Sequence, residues 1–238
     1  MLPINDEEGQ PRGATAWVTW GIIILNVLVF LYELMLGAGL DTLFQTYGAV
    51  PAEILTGQDL APPGPTPVYL QLLTSMFLHG GWLHLIGNMA FLRVFGDDIE
   101  ETLGSLPYLL FYLAVGIVAS LTHIFLAGPD STIPSVGASG AIAGVMGAYF
   151  VLYPHSRIVT LLPIFFFIQI VEVPAIFFLG IWFVMQLLSG VGSIATAAGE
   201  PAGGIAFWAH AAGFLAGLSG VLVFRRRERQ RVEWWNEL

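Results

Sequence analysis

A chain of 238 residues, 56% of them hydrophobic and only 11% charged, is not the sequence of a soluble globular enzyme. A mean hydropathy of +0.76 spread over several separate apolar runs also excludes a soluble domain held by one anchor. The net charge of −9 does not mark an acidic binding protein, and the absence of cysteine excludes disulfides and thiolate chemistry.

Residues 1–15 read as a polar N-terminal tail containing Pro3, Gly9 and Pro11, expected to be mobile. The tail lacks the basic start of a cleavable signal peptide. A first span covers 17–36, about the length a bilayer core requires. Asn26 sits mid-span and is expected to hydrogen-bond to a neighbouring helix; Glu33 lies near the span's end. Residues 37–70 form a long connector rich in proline and glycine and free of Lys and Arg, functional or disordered by its length.

The second span, 76–95, contains His79, His84 and Asn88. Polar side chains inside a span are costly and face the bundle interior or a water-filled cavity. His84 and Asn88 are four apart and share one helix face, where they form a cluster of donors. The acidic turn Gly96-Asp97-Asp98-Ile99-Glu100-Glu101 follows. A third span, 107–127, carries His123, to which no role is assigned.

The fourth span, 139–153, opens with the small-residue stretch Ser135-Val136-Gly137-Ala138-Ser139-Gly140-Ala141 and carries Gly140, Gly144 and Gly147. Taken alone, that stretch reads as close helix packing without chemistry. Residues 158–190 are too long an apolar run for one span; Glu172 and Pro174 divide it into an interfacial segment, 158–171, and a fifth span, 174–190. The sixth span, 204–224, contains His210, Gly213 and Gly217. The basic tail 225–238 reads as a stop-transfer flank and not as a nucleic-acid site.

With six spans, Arg12, Arg93, Arg157 and the five tail arginines all fall on one side, so both termini are expected in the cytoplasm. Ser139 precedes Tyr153 by fourteen residues and His210 precedes Phe224 by fourteen. At about 1.5 Å per residue both lie roughly 21 Å above the cytoplasmic helix ends, at one level. His84 is near that level. A hydroxyl at the depth of an imidazole suggests an activated nucleophile, and a nearby His and Asn supply donors for an oxyanion. No acid is expected within a span at that depth, so the pair reads as a dyad.

These residues resemble the rhomboid intramembrane serine proteases. Gly137-Ala138-Ser139-Gly140 is similar to the family's Gly-x-Ser-Gly box, and His84-Leu85-Ile86-Gly87-Asn88 to its His-x-x-x-Asn. Ala209-His210-Ala211-Ala212-Gly213 with Gly217 resembles its sixth-span motif; His79-Gly80-Gly81-Trp82-Leu83 and Phe95-Gly96-Asp97 are also similar to family sequence. The resemblance implies an all-α, six-span bundle over 16–224 and a serine endopeptidase acting on membrane-anchored proteins near the outer surface. It implies Ser139 as nucleophile, His210 as general base, and His84 and Asn88 with the Ser139 N–H as the oxyanion site. Gly137, Gly140, Gly213 and Gly217 would pack the helices around that site. No metal or organic cofactor is implied, and the bilayer and transmembrane substrates are the partners.

Two features depart from the family pattern. The first connector lacks the Trp-Arg pair of some members, and Ala143 stands where some carry a tyrosine stacked on the catalytic His. The expected setting is a bacterial cytoplasmic membrane. The rivals are an inactive rhomboid-like scaffold and a broken-helix transporter, against which stand the retained Ser139 and His210 and the absence of a repeat relating the two halves. Substrate, cleavage site and oligomeric state stay open.

Overall fold

Long apolar runs in which no backbone group can reach water fold as helices, because a helix pairs its own N–H and C=O groups. The computed structural model describes residues 2–6, 16–164, 167–196 and 202–224. In chain order these form β1 (Leu2–Asp6), α1 (Trp17–Leu36), α2 (Leu40–Tyr47), α3 (Pro51–Thr56), α4 (Gln71–Thr74), α5 (Trp82–Leu103), α6 (Ser105–Ala127), α7 (Ser139–Leu152), β2 (Arg157–Ile164), β3 (Phe167–Pro174), α8 (Ala175–Thr196) and α9 (Ala202–Phe224). The basic tail, Arg12 and residues 197–201 of the 190–203 loop lie outside the described residues.

Among the described residues, four stretches are long and apolar enough to cross a membrane: Trp17–Tyr47, Ser105–Ala127, Ala175–Gly192 and Phe207–Phe224. The two remaining long helices differ from these for separate reasons. α5 has 22 residues but carries Arg93, Asp97, Asp98, Glu100 and Glu101 in its second half. α7 is apolar but has only 14 residues.

α7 is the centre of the bundle. Every residue from Ala141 to Tyr149 is buried, as befits a helix that is apolar on all sides, and it packs against α5, α6, α8 and α9. At its glycines, α7 meets α9 backbone to backbone. A Cβ placed on Gly213 would lie 2.3 Å from the Gly140 carbonyl oxygen, and one placed on Gly140 would lie 2.6 Å from the Ala119 Cβ on α6. Gly140, Gly213 and Gly217 therefore line the seams where α6, α7 and α9 meet, and a side chain at any of them forces two helices apart.

The structure corrects the all-helical expectation at one end of the molecule. The segment 158–171, expected as an interfacial stretch, forms most of a β-hairpin, and part of the N-terminal tail joins it as β1. The antiparallel sheet has the order β1-β2-β3, with Leu2 opposite Leu161 and Val159 opposite Glu172. Ile158, Val159, Thr160, Ile170, Val171 and Val173 favour the extended backbone because branching at Cβ suits a pleated surface. The β1 register slips between Pro3 and Asn5, next to a residue that has no N–H to give to the ladder. Asp6 is buried and accepts a hydrogen bond from the Tyr149 hydroxyl of α7. Arg157 pairs with Glu172 across the hairpin at 3.3 Å.

Three other expectations change. α5 begins at Trp82, not at 76, because Gly81, at φ +155°, breaks the chain direction just before it. His79 is consequently outside any helix. Asn26 does not reach a neighbouring helix: its Nδ2 donates to the Ile22 carbonyl of its own turn at 2.8 Å. The 37–70 connector is ordered around buried polar groups. Gln71 accepts from the Val50 N–H at 3.2 Å and donates to Glu53, which also accepts from the Leu60 N–H at 3.2 Å.

Candidate active site

The loop that delivers Ser139 is held along its length. Ser135 and Ala49 exchange both backbone hydrogen bonds at 2.9 Å, the Ala52 N–H donates to the Ser131 carbonyl at 2.9 Å, and the Gly137 N–H donates to the Ser75 carbonyl at 2.9 Å. Gly137, at φ +128°, then turns the chain into α7 in a conformation that side chains resist. Ser139 is the first residue of α7. The earliest N–H groups of a helix have no carbonyl one turn before them, so they point outward as donors.

The imidazole of His84 lies directly over Gly137: a Cβ there would stand 2.7 Å from both Cε1 and Nε2 of His84, and 3.9 Å from the Asn88 Nδ2. The shared helix face of His84 and Asn88 thus meets the Ser139 loop. The Gly80 N–H donates to His84 Nδ1 at 3.4 Å, which leaves the proton of the neutral ring on Nε2. The Asn88 Nδ2 is buried and, among the described residues, has no acceptor. His79, displaced from α5, packs its ring against His84 at 5.0 Å, and its backbone N–H donates to Glu33 of α1 at 3.0 Å.

From the other side, α9 brings His210. Its Nε2 lies 2.7 Å from Ser139 Oγ, and its Nδ1 lies 3.0 Å from Gln186 Oε1 on α8. Trp182, one turn before Gln186, places its ring 6.2 Å from the imidazole at an interplanar angle of 36°. An aromatic neighbour is therefore present although Ala143 occupies the position noted in the sequence; it comes from a different helix. Sequence reasoning did not single out Gln186. The available signal was a polar side chain in an otherwise apolar run, the same signal that marked His84 and Asn88.

Ser139, His210, His84 and Asn88 line one cavity of about 460 Å³, together with Phe91, His123, Trp182 and Gln186. His123 thus faces the same space. Among the described residues, no cluster of His, Cys, Asp or Glu has the composition to hold a metal ion. The chemistry on offer is a hydroxyl hydrogen-bonded to an imidazole beside several unpaired N–H donors.

A family model described as the rhomboid domain matches residues 67–227. The chain belongs to the rhomboid family. This rhomboid is 30% identical over 165 residues to the RHOMBOID-like protein 6, mitochondrial, of Arabidopsis thaliana, an alignment covering 58% of the chain and 52% of that protein. It is 40% identical over 79 residues to the Rhomboid-like protein 11, chloroplastic, of the same plant, covering 33% of the chain and 28% of the relative. It is 44% identical over 78 residues to the Rhomboid protease GluP of Bacillus subtilis (strain 168), covering 33% of the chain and 15% of the relative. The rhomboid spans about half the length, or less, of these curated relatives. Its membrane-spanning helices and its family make it an integral membrane protein.

Proposed function

We propose that this rhomboid is a serine endopeptidase that cleaves membrane-anchored proteins inside the bilayer. The observation that carries the reading is the 2.7 Å approach of Ser139 Oγ to His210 Nε2 in a cavity bounded by apolar helices. Ser139 gives its proton to His210 Nε2 as Oγ attacks the scissile carbonyl. The resulting oxyanion is met by the Ser139 N–H, the Nε2–H of His84 and the Nδ2–H of Asn88. His210 then returns the proton to the leaving amine, and an acyl-enzyme on Ser139 remains. Water, deprotonated by the same imidazole, hydrolyses it. A transmembrane helix hides its carbonyls in its own hydrogen bonds, so the substrate segment must unwind to reach Ser139.

In this reading, residues 16–224 form a six-span domain in which α5 and α7 cross with the four longer apolar stretches. With 14 residues, α7 extends about 21 Å, less than a core of about 30 Å, which sets Ser139 below the membrane surface. The arginine distribution supports cytoplasmic termini and an outward-opening site. A bacterial cytoplasmic membrane is the proposed setting.

The test is labelling of the detergent-solubilised protein by a serine-reactive fluorophosphonate, alongside cleavage of a single-span model substrate. Wild type is expected to do both, and Ser139→Ala neither. A folded wild type that does neither points to a binding scaffold or a transporter. Cleavage by Ser139→Ala at the wild-type rate removes Ser139 from the mechanism.

A further inference from the structure

Of the groups around His210, one polar partner lies on neither of the helices that carry Ser139 and His210. Gln186 reaches in from α8, and its Oε1 lies 3.0 Å from His210 Nδ1. A neutral imidazole carries one proton and shares one lone pair. For Nε2 to accept from Ser139 Oγ–H, the proton must sit on Nδ1, and a proton on Nδ1 requires an acceptor. The amide oxygen of Gln186 is that acceptor.

We infer that Gln186 is a positioning residue for proton transfer, holding His210 in the tautomer that faces its lone pair toward Ser139. The inference rests on the protease reading above and adds a third member to the pair without adding a charge. That choice has a physical reason. A carboxylate at this half-buried place would carry some desolvation cost, which an amide oxygen largely avoids while still supplying the acceptor. The same helix also fixes the face of the ring. Trp182 and Gln186 are four residues apart, so α8 presents an aromatic surface and an acceptor to one imidazole from one side.

The step itself stays balanced. When Ser139 Oγ attacks, Nε2 takes its proton, and Nδ1–H keeps its hydrogen bond to Gln186 throughout; no proton passes to the amide. Gln186 thus touches neither substrate nor the reacting atoms.

The experiment compares wild type with Gln186→Leu, Gln186→Asn and Gln186→Glu, each checked for a monodisperse, folded preparation. Leucine keeps the volume and removes the acceptor, asparagine keeps the amide but falls short, and glutamate keeps an acceptor oxygen at the same reach. Gln186→Leu and Gln186→Asn are expected to lower kcat by about tenfold to a hundredfold with KM unchanged. That is less than the roughly 10⁴-fold loss caused by the wrong tautomer in a soluble serine protease, because the ring remains free to visit the right one. Fluorophosphonate labelling should slow in parallel, and Gln186→Glu should recover at least a third of the wild-type kcat. The ¹⁵N spectrum of labelled His210 should show Nδ1 protonated in wild type and a mixed population in Gln186→Leu.

A wild-type kcat in Gln186→Leu, or equal losses in Gln186→Leu and Gln186→Glu, overturns the assignment in favour of simple packing. A neutral wild-type ring protonated on Nε2 also overturns it. If the folded wild type neither labels nor cleaves, the protease reading fails by itself, and the tautomer spectrum still decides whether Gln186 holds Nδ1–H.

Discussion

Gly217 of α9 sits so close to Gly144 of α7 that a Cβ on Gly217 would lie 1.8 Å from the Gly144 carbonyl oxygen. The two helices that carry His210 and Ser139 are thus in backbone contact less than three turns from those side chains. No rotamer change relieves a Cβ driven into a backbone oxygen. Gly217→Ala is expected to push α9 from α7, at a cost of about 1–3 kcal/mol, and to reduce cleavage through the lost Ser139–His210 hydrogen bond. Thermal unfolding in detergent together with the cleavage rate checks this. An unchanged melting temperature and rate would refute the tight seam.

The unpaired Nδ2 of Asn88 makes a second prediction. Asn88→Ala should lower kcat while Ser139 still reacts with the fluorophosphonate. One such donor is worth about 10²–10³ in kcat in a soluble serine protease, and less here if His84 and the Ser139 N–H still serve. Single-turnover kinetics on a model substrate would show it, and an unchanged kcat would make Asn88 a packing residue.

Gly137 is constrained twice, by its φ of +128° and by the His84 ring against it. Gly137→Ala should cost about 1–3 kcal/mol in backbone strain and also displace His84. Activity is therefore expected to fall further than the loss of stability accounts for. Comparing residual cleavage at a temperature where the variant remains fully folded separates the two effects; full activity there would show that His84 tolerates the shift.

Glu100, read from the sequence as part of an acidic turn, lies within α5, where it is buried and caps the start of α1. It accepts from the Val18 and Thr19 N–H groups at 3.0 and 2.7 Å, from the Thr19 hydroxyl at 2.9 Å and from the Ser105 hydroxyl at 2.6 Å. Glu100→Ala should destabilise the bundle by about 1–3 kcal/mol for each donor left buried and unpaired. Thermal unfolding measures it, and a loss below 1 kcal/mol would mean that water replaces the carboxylate.

Orientation has a direct test because the chain has no cysteine. Gln58 lies exposed in the first connector and Gln169 exposed in the hairpin, on sides that the arginine count assigns as outside and inside. Gln58→Cys should react with an impermeant thiol reagent in intact cells, and Gln169→Cys only after lysis. The reverse pattern would invert the topology.

The helices were legible where their polar residues were few and conspicuous. Ser139 and His210 stand out in small-residue helices, and fourteen-residue counts to Tyr153 and Phe224 put them at one level along their helices, where the two side chains lie 2.7 Å apart. The hairpin was not legible, because a largely apolar stretch such as 158–164, interrupted only by Thr160 and Pro163, has no clear period to tell a strand from a membrane segment. The connector misled for another reason: proline and glycine mark turns, while the order comes from Gln71 and Glu53 meeting groups distant in sequence. Gln186 shows the same limit. A polar residue in a span announces that it has a partner, and only the fold says which.

The pairing of Leu2 with Leu161 also bears on how the chain is made. β1 emerges 159 residues before the strand it pairs with. At roughly 5–20 residues per second, β1 waits about 8–30 s with its edge unpaired. During that interval α1 and the helices after it can insert. Only then can the sheet close, and Asp6 reaches Tyr149 only once α7 has been made. β1 is thus a latch that closes on the helices already made, α1 to α7, while α8 and α9 are still to follow.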